Sequence, residues 1–224
     1  MNKLLIQPFD SPQDYTACWQ SMKQFTQQRD QSTPDQLWLL EHPSVFTQGQ
    51  AGKPEHLLDP GKTPVVQTDR GGQVTWHGPG QTIVYLLCDL KRLQVGVREL
   101  VDRIEQSVVD TLIKHNIDAY GDSSAHGVYV AGEKICSLGL RVKRGCSYHG
   151  LALNIDANLS AFSHINPCGY PGLRVTSIAQ QLEKFDKLQI NEDLTTSLAK
   201  ALGYQQWQWQ TPCQQLPQLT DQHL

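Results

Sequence analysis

The sequence predicts an α/β (α+β) fold: a single domain with a mixed β-sheet flanked by helices. Three observations carry this. Val97, Leu100, Val101, Ile104, Val108 and Leu112 recur with a period near 3.6, the mark of an amphipathic helix. Gly127 to Ala131, Lys134 to Val142 and Ser147 to Ile155 are strand-like and separated only by Gly132-Glu133 and by Lys143 to Cys146. Those are hairpin spacings, so this part of the sheet is antiparallel. Strands and helices do not alternate as clean βαβ units, which argues against a purely parallel sheet.

The other elements follow in order. Ser11-Pro12 opens the first helix, with Ser as N-cap and Pro at the first position. Tyr15, Trp19, Met22 and Phe25 then share a face. Gln36 to Leu40 and Val45 to Thr47 form short strands around a turn at His42-Pro43. Val65, Val66 and the run Thr82 to Leu87 are rich in β-branched residues and predict buried strands. Asp193 to Leu202 is the last helix, N-capped by Asn191 with Glu192 in its first turn. From Gln205 onward Gln is dense and Pro recurs, so the tail is expected to be irregular. The chain therefore divides into one domain over residues 1–204 and a Gln-rich tail over 205–224.

Composition narrows the function. With 39% hydrophobic and 18% charged residues in 224, the chain is globular rather than disordered. Its longest apolar runs, Ile83 to Leu87 and Gly127 to Ala131, fall far short of the roughly 20 residues of a membrane span. The N-terminus breaks at Pro8 and Asp10, too early for a signal peptide. A net charge of −3 argues against a dedicated nucleic-acid binder. The six cysteines, at 18, 88, 136, 146, 168 and 213, form no C-x-x-C pair. Zinc ribbons and thioredoxin-type chemistry are excluded, and a reduced, cytoplasmic setting is expected.

Five segments are dense in chemistry. Gly61-Lys62-Thr63 resembles the end of a P-loop, but His56 stands where its first Gly should be and Pro64 blocks the following helix. Asp69 to Gln81 packs Arg70, Gln73, Thr75, Trp76 and His77 among glycines that let backbone approach a ligand, so it reads as a ligand loop. Along Ser147 to Ile155, alternation puts His149, Leu151, Leu153 and Ile155 on one face and Tyr148, Gly150, Ala152 and Asn154 on the other. Gly150 and Ala152 leave room on that face for a ligand or for a packed helix.

Lys134 shares a face with Cys136, Leu138, Leu140 and Val142. A lone Lys there is expected to snorkel to solvent; desolvated, it would have a lowered pKa suited to acid–base work. Cys168 is held between Pro167 and Gly169 off any regular element, a setting for a reactive thiol, although most cysteines are inert core residues. His164 with Cys168, or Cys146 with His149, lacks the second pair a metal site needs.

Three of these segments together resemble the bacterial octanoyltransferase family, the lipoyl(octanoyl) transferases of lipoate biosynthesis. They are Arg70 to Gln81 (RGGQVTWHGPGQ), Gly132 to Val142 (GEKICSLGLRV) and His149 to Gly169 (HGLALNI…FSHINPCG). Leu39 to Pro43, Val45 to Thr47 and Thr176 to Ile178 add smaller matches, and the resemblance runs in order from about residue 35 to 180. Trp76 stands where the family more often carries Tyr or Phe.

The resemblance implies the fold of biotin and lipoate protein ligase catalytic domains. It implies transfer of octanoyl, and also of lipoyl, from acyl carrier protein to a lysine of lipoyl domains, the first step of endogenous protein lipoylation. Expected acceptors are the E2 subunits of 2-oxoacid dehydrogenases and the glycine cleavage H protein. No cofactor and no metal is implied. Cys168 would carry the acyl group as a thioester and Lys134 would activate it. The family's substrate-binding residues fall on Arg70, Gly71, Gly72, Gln73, Val74, Thr75, Trp76 and His77, on Ser137, Leu138 and Gly139, and on Gly150, Leu151 and Ala152. Backbone N–H groups of Gly71-Gly72 or of Ser137 to Gly139 would hold the oxyanion. Arg141 to Arg144 and Lys91-Arg92 would form a basic rim for acidic partner proteins. An ATP-dependent lipoate–protein ligase is the alternative on the same fold.

Overall fold

In a computed structural model, which describes residues 3–122, 124–214 and 216, the chain alternates irregularly between strands and helices. It runs through β1 (Leu4–Pro8), α1 (Tyr15–Gln28), β2 (Asp35–Leu40), β3 (Val45–Gln48), β4 (Val65–Gln67), β5 (Val74–His77) and β6 (Gln81–Leu87). There follow α2 (Leu90–Leu93), α3 (Val97–Lys114), β7 (Ala119–Gly121), β8 (Val128–Val130), β9 (Glu133–Lys143) and β10 (Cys146–Asn154). The chain continues with α4 (Ile178–Gln181), α5 (Lys187–Ala201) and β11 (Trp207–Trp209). Eight strands form one sheet in the order β11-β1-β2-β6-β10-β9-β8-β7, and β4-β3-β5 form a small second sheet. The large sheet is mixed: β11, β1 and β2 pair in parallel, and every pairing from β2 onward is antiparallel.

The predicted fold class and the antiparallel run β8-β9-β10 are both present. Period-two alternation on the central strand explains the layers. On β6, Val84 and Leu86 join the core under α3 and α5, while Ile83, Tyr85 and Leu87 face α1 with Cys18, Met22 and Phe25. Every residue of β6 and β10 is buried, as strands covered on both faces must be. A third cluster, Phe46, Val74, Trp76, Phe162 and Ile165, fills the space beside the small sheet.

Several local expectations are corrected. The first helix is capped by Asp14, which accepts from Ala17 N at 2.8 Å; Ser11-Pro12 precede it, and the Gln13 N–H between them and the cap is bonded to Glu41 O. The last helix starts at Lys187 under an Asp186 cap, and Asn191 lies inside it, accepting from Thr82 Oγ1. The two strands expected around His42-Pro43 are present, β2 in the large sheet and β3 in the small one. Val65 is 42% exposed, being on an edge strand. Within the tail, Trp207–Trp209 form a strand, because β1 would otherwise leave a bare edge. The rest of that expectation, at 215 and 217–224, lies outside the described residues.

Candidate active site

Strand β9 brings Lys134 inside. Its backbone is pinned on both sides, N–H to Arg174 O at 2.9 Å and C=O from Thr176 N at 3.0 Å. Its side chain does not snorkel: the residue is 2% exposed. Nζ donates to His126 O at 2.9 Å and to Cys168 Sγ at 3.3 Å, and lies 5.1 Å from the Tyr129 ring centroid. Gly127 makes room for it. A Cβ there would sit 2.8 Å from Lys134 Cε, and its φ of +145° suits only glycine.

Burial acts to lower the Lys134 pKa, but the charge of Cys168 and the Tyr129 hydroxyl outweigh it and raise the value above the ordinary one. The resting side chain is therefore an ammonium, its charged form favoured by the Cys168 contact against the opposing effect of burial.

Cys168 reaches this ammonium from a strained loop. Its φ and ψ are 56° and 15°, left-handed for a residue with a Cβ, which costs roughly 1–3 kcal/mol. Bonds from Gly169 N to Asn166 O and from Tyr170 N to Pro167 O close the turn around it, and Asn166 N is tied to His56 O. The other five thiols are all pushed up, chiefly by burial, Cys136 to about 12. Cys168 differs in having a cation in contact.

A cavity of about 390 Å³ opens beside this pair. Its wall includes Arg70, Gly71, Gly72, Gln73, Val74, Thr75, His77, Ser137, Leu138, Gly139, Gly150, Leu151 and Ala152 along with Lys134 and Cys168. Trp76 is the exception among the sequence-derived candidates. It turns away, packs edge-on against Phe162 and donates to Ser44 Oγ at 2.9 Å.

Two assignments change in detail. The N–H of Gly71 is bonded to Leu140 O at 2.9 Å, so it is not an oxyanion donor. At Gly150 a Cβ would lie 2.0 Å from Val84 O, so the neighbouring strand β6 demands the glycine rather than a ligand. Arg70 is buried and its guanidinium is used on Thr47 O, Thr47 Oγ1 and Gly71 O, which fixes the loop. The basic rim loses Arg92, whose guanidinium pairs with buried Asp35 at 2.6 Å; Lys91, Lys143 and Arg144 stay exposed.

The sequence did not reveal that Tyr15, Tyr85 and His149 join the expected His77 in a polar wall. Tyr15 stacks on His77 at 5.7 Å, and the Tyr85 ring meets His149 edge-on at 6.0 Å. A φ of +60° at His149 breaks the strand alternation, so His149 and Tyr148 both reach Asp69. Asp69 also accepts from Trp19 Nε1 at 2.7 Å. Burial would raise its pKa, yet the bonds from His149 and Tyr148 hold it well below the carboxylate range. Burial keeps His42, His77 and His149 neutral, with His42 lowered to about 4. Among the described residues no group of three or more His, Cys, Asp or Glu could hold a metal, and no helix is long and apolar enough to cross a membrane.

The profile of the lipoyl protein ligase A/B catalytic domain matches residues 14–199. The octanoyltransferase of Cellvibrio japonicus is 59% identical over 194 residues, covering 86% of this chain and 90% of that protein. Among solved structures, the bipartite lipoate protein ligase of Thermoplasma acidophilum superposes with a TM-score of 0.71 at 14% identity, covering 94% of this chain and 87% of that one. The biotin protein ligase of Aquifex aeolicus follows at 0.51 and 12%, covering 90% and 68%.

Proposed function

The chain belongs to the octanoyltransferase family and is an acyltransferase, and on that premise we propose that it moves octanoyl from an acyl carrier protein to a lipoyl-domain lysine through a thioester on Cys168. The observation that carries this reading is the 3.3 Å contact between Lys134 Nζ and Cys168 Sγ at the wall of a largely apolar cavity.

Lys134 Nζ lies 3.3 Å from Cys168 Sγ, where its charge favours the thiolate as the attacking form. The thiolate attacks the donor thioester carbon. The tetrahedral intermediate collapses, and the departing carrier thiolate takes the proton of the Lys134 ammonium. This leaves an acyl-enzyme, a neutral Lys134 and a free carrier thiol. Exchange of one thioester for another is nearly isoenergetic and needs no nucleotide.

Acylation turns the Cys168 sulfur into a neutral thioester, which leaves burial, the influence that lowers the Lys134 pKa, to favour the neutral amine. Lys134 takes a proton from the acceptor's ε-ammonium, which ordinarily titrates near 10.4. The freed amine attacks the acyl carbon, Cys168 leaves as a thiolate, and the second amine proton goes to solvent. The dyad is back in its starting state. Leu138, Leu140, Leu151 and Ala152 flank the cavity, where each methylene of the chain would contribute roughly 0.8 kcal/mol on burial. A lipoyl group carried by the same protein fits the same scheme.

The test is intact-mass analysis after brief incubation with octanoyl-carrier protein, followed by addition of a lipoyl domain. Wild type should show an octanoyl adduct that disappears as the domain is modified. Cys168→Ala should show no adduct and lose transfer by about 10⁴-fold or more. Normal transfer by Cys168→Ala would end the covalent reading. Activity requiring ATP and free octanoate would point to a ligase instead.

A further inference from the structure

Helix α3 buries Leu100, Ile104, Val108 and Leu112 against the sheet, and among them it also buries a carboxylate, Glu105, 7% exposed. Such a group is costly unless it is answered. Glu105 Oε1 accepts from Gly127 N at 2.7 Å and contacts His126 Nδ1 at 3.2 Å. Both partners belong to the segment whose carbonyl, His126 O, receives Lys134 Nζ at 2.9 Å. Gly127 itself lies against the end of the lysine: a Cβ there would be 3.0 Å from Nζ. From helix to sulfur the chain of contacts is thus Glu105, the His126–Gly127 backbone, Lys134 Nζ and Cys168 Sγ.

The geometry points to Glu105 as a positioning residue that aims the Lys134 ammonium at Cys168 by holding the His126–Gly127 backbone. The role rests on the carboxylate's reach more than on its charge. Its oxygen fixes one peptide group, and that peptide group fixes the amine. A displacement of about 1 Å at a reacting group can cost on the order of 10²-fold in rate. Two substitutions separate reach from charge. Glu105→Asp keeps the charge but withdraws the oxygens by one methylene. Glu105→Gln keeps the length and an acceptor oxygen for Gly127 N–H but removes the charge. A structural ion-pair role predicts the opposite order, with Asp the milder change.

The inference rests on the Lys134–Cys168 reading, so the measurement includes a control for it. Iodoacetamide alkylation of Cys168, located by peptide mass and followed against pH, needs no acyl substrate. Groups facing Lys134 are Cys168, Tyr129, Asp122, Cys136 and the His126 carbonyl; those facing Glu105 are His126, Asp102 and Cys136. Lys134→Met sets the profile without the amine; if it overlays wild type, the dyad reading itself fails. If it differs, Glu105→Asp should move toward it and lower the transfer kcat by about 10-fold to 10²-fold with little change in KM. Glu105→Gln should stay within about threefold of wild type. An Asp variant that overlays wild type, or a Gln variant as impaired as Asp, overturns the positioning role.

Discussion

Asp35 and Lys134 are both charges taken out of water, 0% and 2% exposed, and their surroundings differ in kind. Asp35 Oδ1 pairs with Arg29 at 2.5 Å and Arg92 at 2.6 Å and accepts from Asp89 N; Oδ2 accepts from Tyr204 at 2.5 Å. Every partner is permanent, and together they tie the end of α1, the start of β2, the cap of α2 and the turn after α5. Lys134 has one carbonyl, one aromatic neighbour and one reactive partner, the Cys168 thiol. In the proposed reaction that sulfur becomes a neutral thioester. A buried charge with fixed counter-ions serves architecture, whereas one whose counter-ion is consumed by a reaction can change protonation with each turnover.

Replacing each charge by an apolar side chain is the most direct way to break the comparison. Lys134→Met should lower transfer by about 10³-fold, within the usual range for a lost acid–base group. Its stability to urea should be unchanged or raised, since removing a buried ion for a well-packed apolar isostere is often neutral or stabilising by about 1–4 kcal/mol. Asp35→Ala should do the reverse. It leaves Arg29, with a side chain 3% exposed, without its carboxylate, and breaking such a pair costs about 3–5 kcal/mol. The fraction that stays folded should transfer octanoyl within about threefold of wild type, as a substitution remote from the site should. If Lys134→Met unfolds as readily as Asp35→Ala, Lys134 is architecture too and the contrast collapses.

The two sites also differ in how far they could be read from sequence. The helix bearing Glu105 was legible because its apolar period is local and unbroken, yet Glu105 itself was not: its partners are a ring and a backbone N–H some twenty residues away. Lys134 was visible as a Lys on an apolar strand face. Its burial depends on Gly127 and on the Cys168 loop, neither of which is adjacent in sequence. Cys168 stood out modestly by its Pro-Cys-Gly setting and decisively only through the family motifs. Alternation failed at His149 because one positive φ redirects the side chain, and period-two reasoning assumes extended backbone throughout. β11 was missed because three residues pair with β1, at the other end of the chain. The strand-rich centre was readable for the opposite reason: β8, β9 and β10 are hairpin neighbours.

A smaller effect sharpens the comparison by adding a third kind of buried group, one kept neutral. His42, 0% exposed, contacts Gln13 O through Nδ1 and Tyr85 OH through Nε2, a pattern that suits the neutral ring with Nδ1 as donor. Burial lowers its pKa from 6.5 to about 4. Between those values the unfolded chain binds the proton and the folded one does not, so stability is fully present above pH 6.5 and is lost as pH falls toward 4. At pH 5 the loss from His42 is about 2 kcal/mol relative to pH 7, and His77 and His149, also lowered by burial, act in the same direction. Asp69, held low by its bonds, contributes its loss only below the ordinary carboxylate range and does not enter this window. Urea unfolding at pH 7 and pH 5 measures the difference, and His42→Gln should reduce it. A wild-type stability that is flat between the two would mean that His42 is protonated in the folded protein, which would make it a third buried charge and not the neutral link it is taken to be.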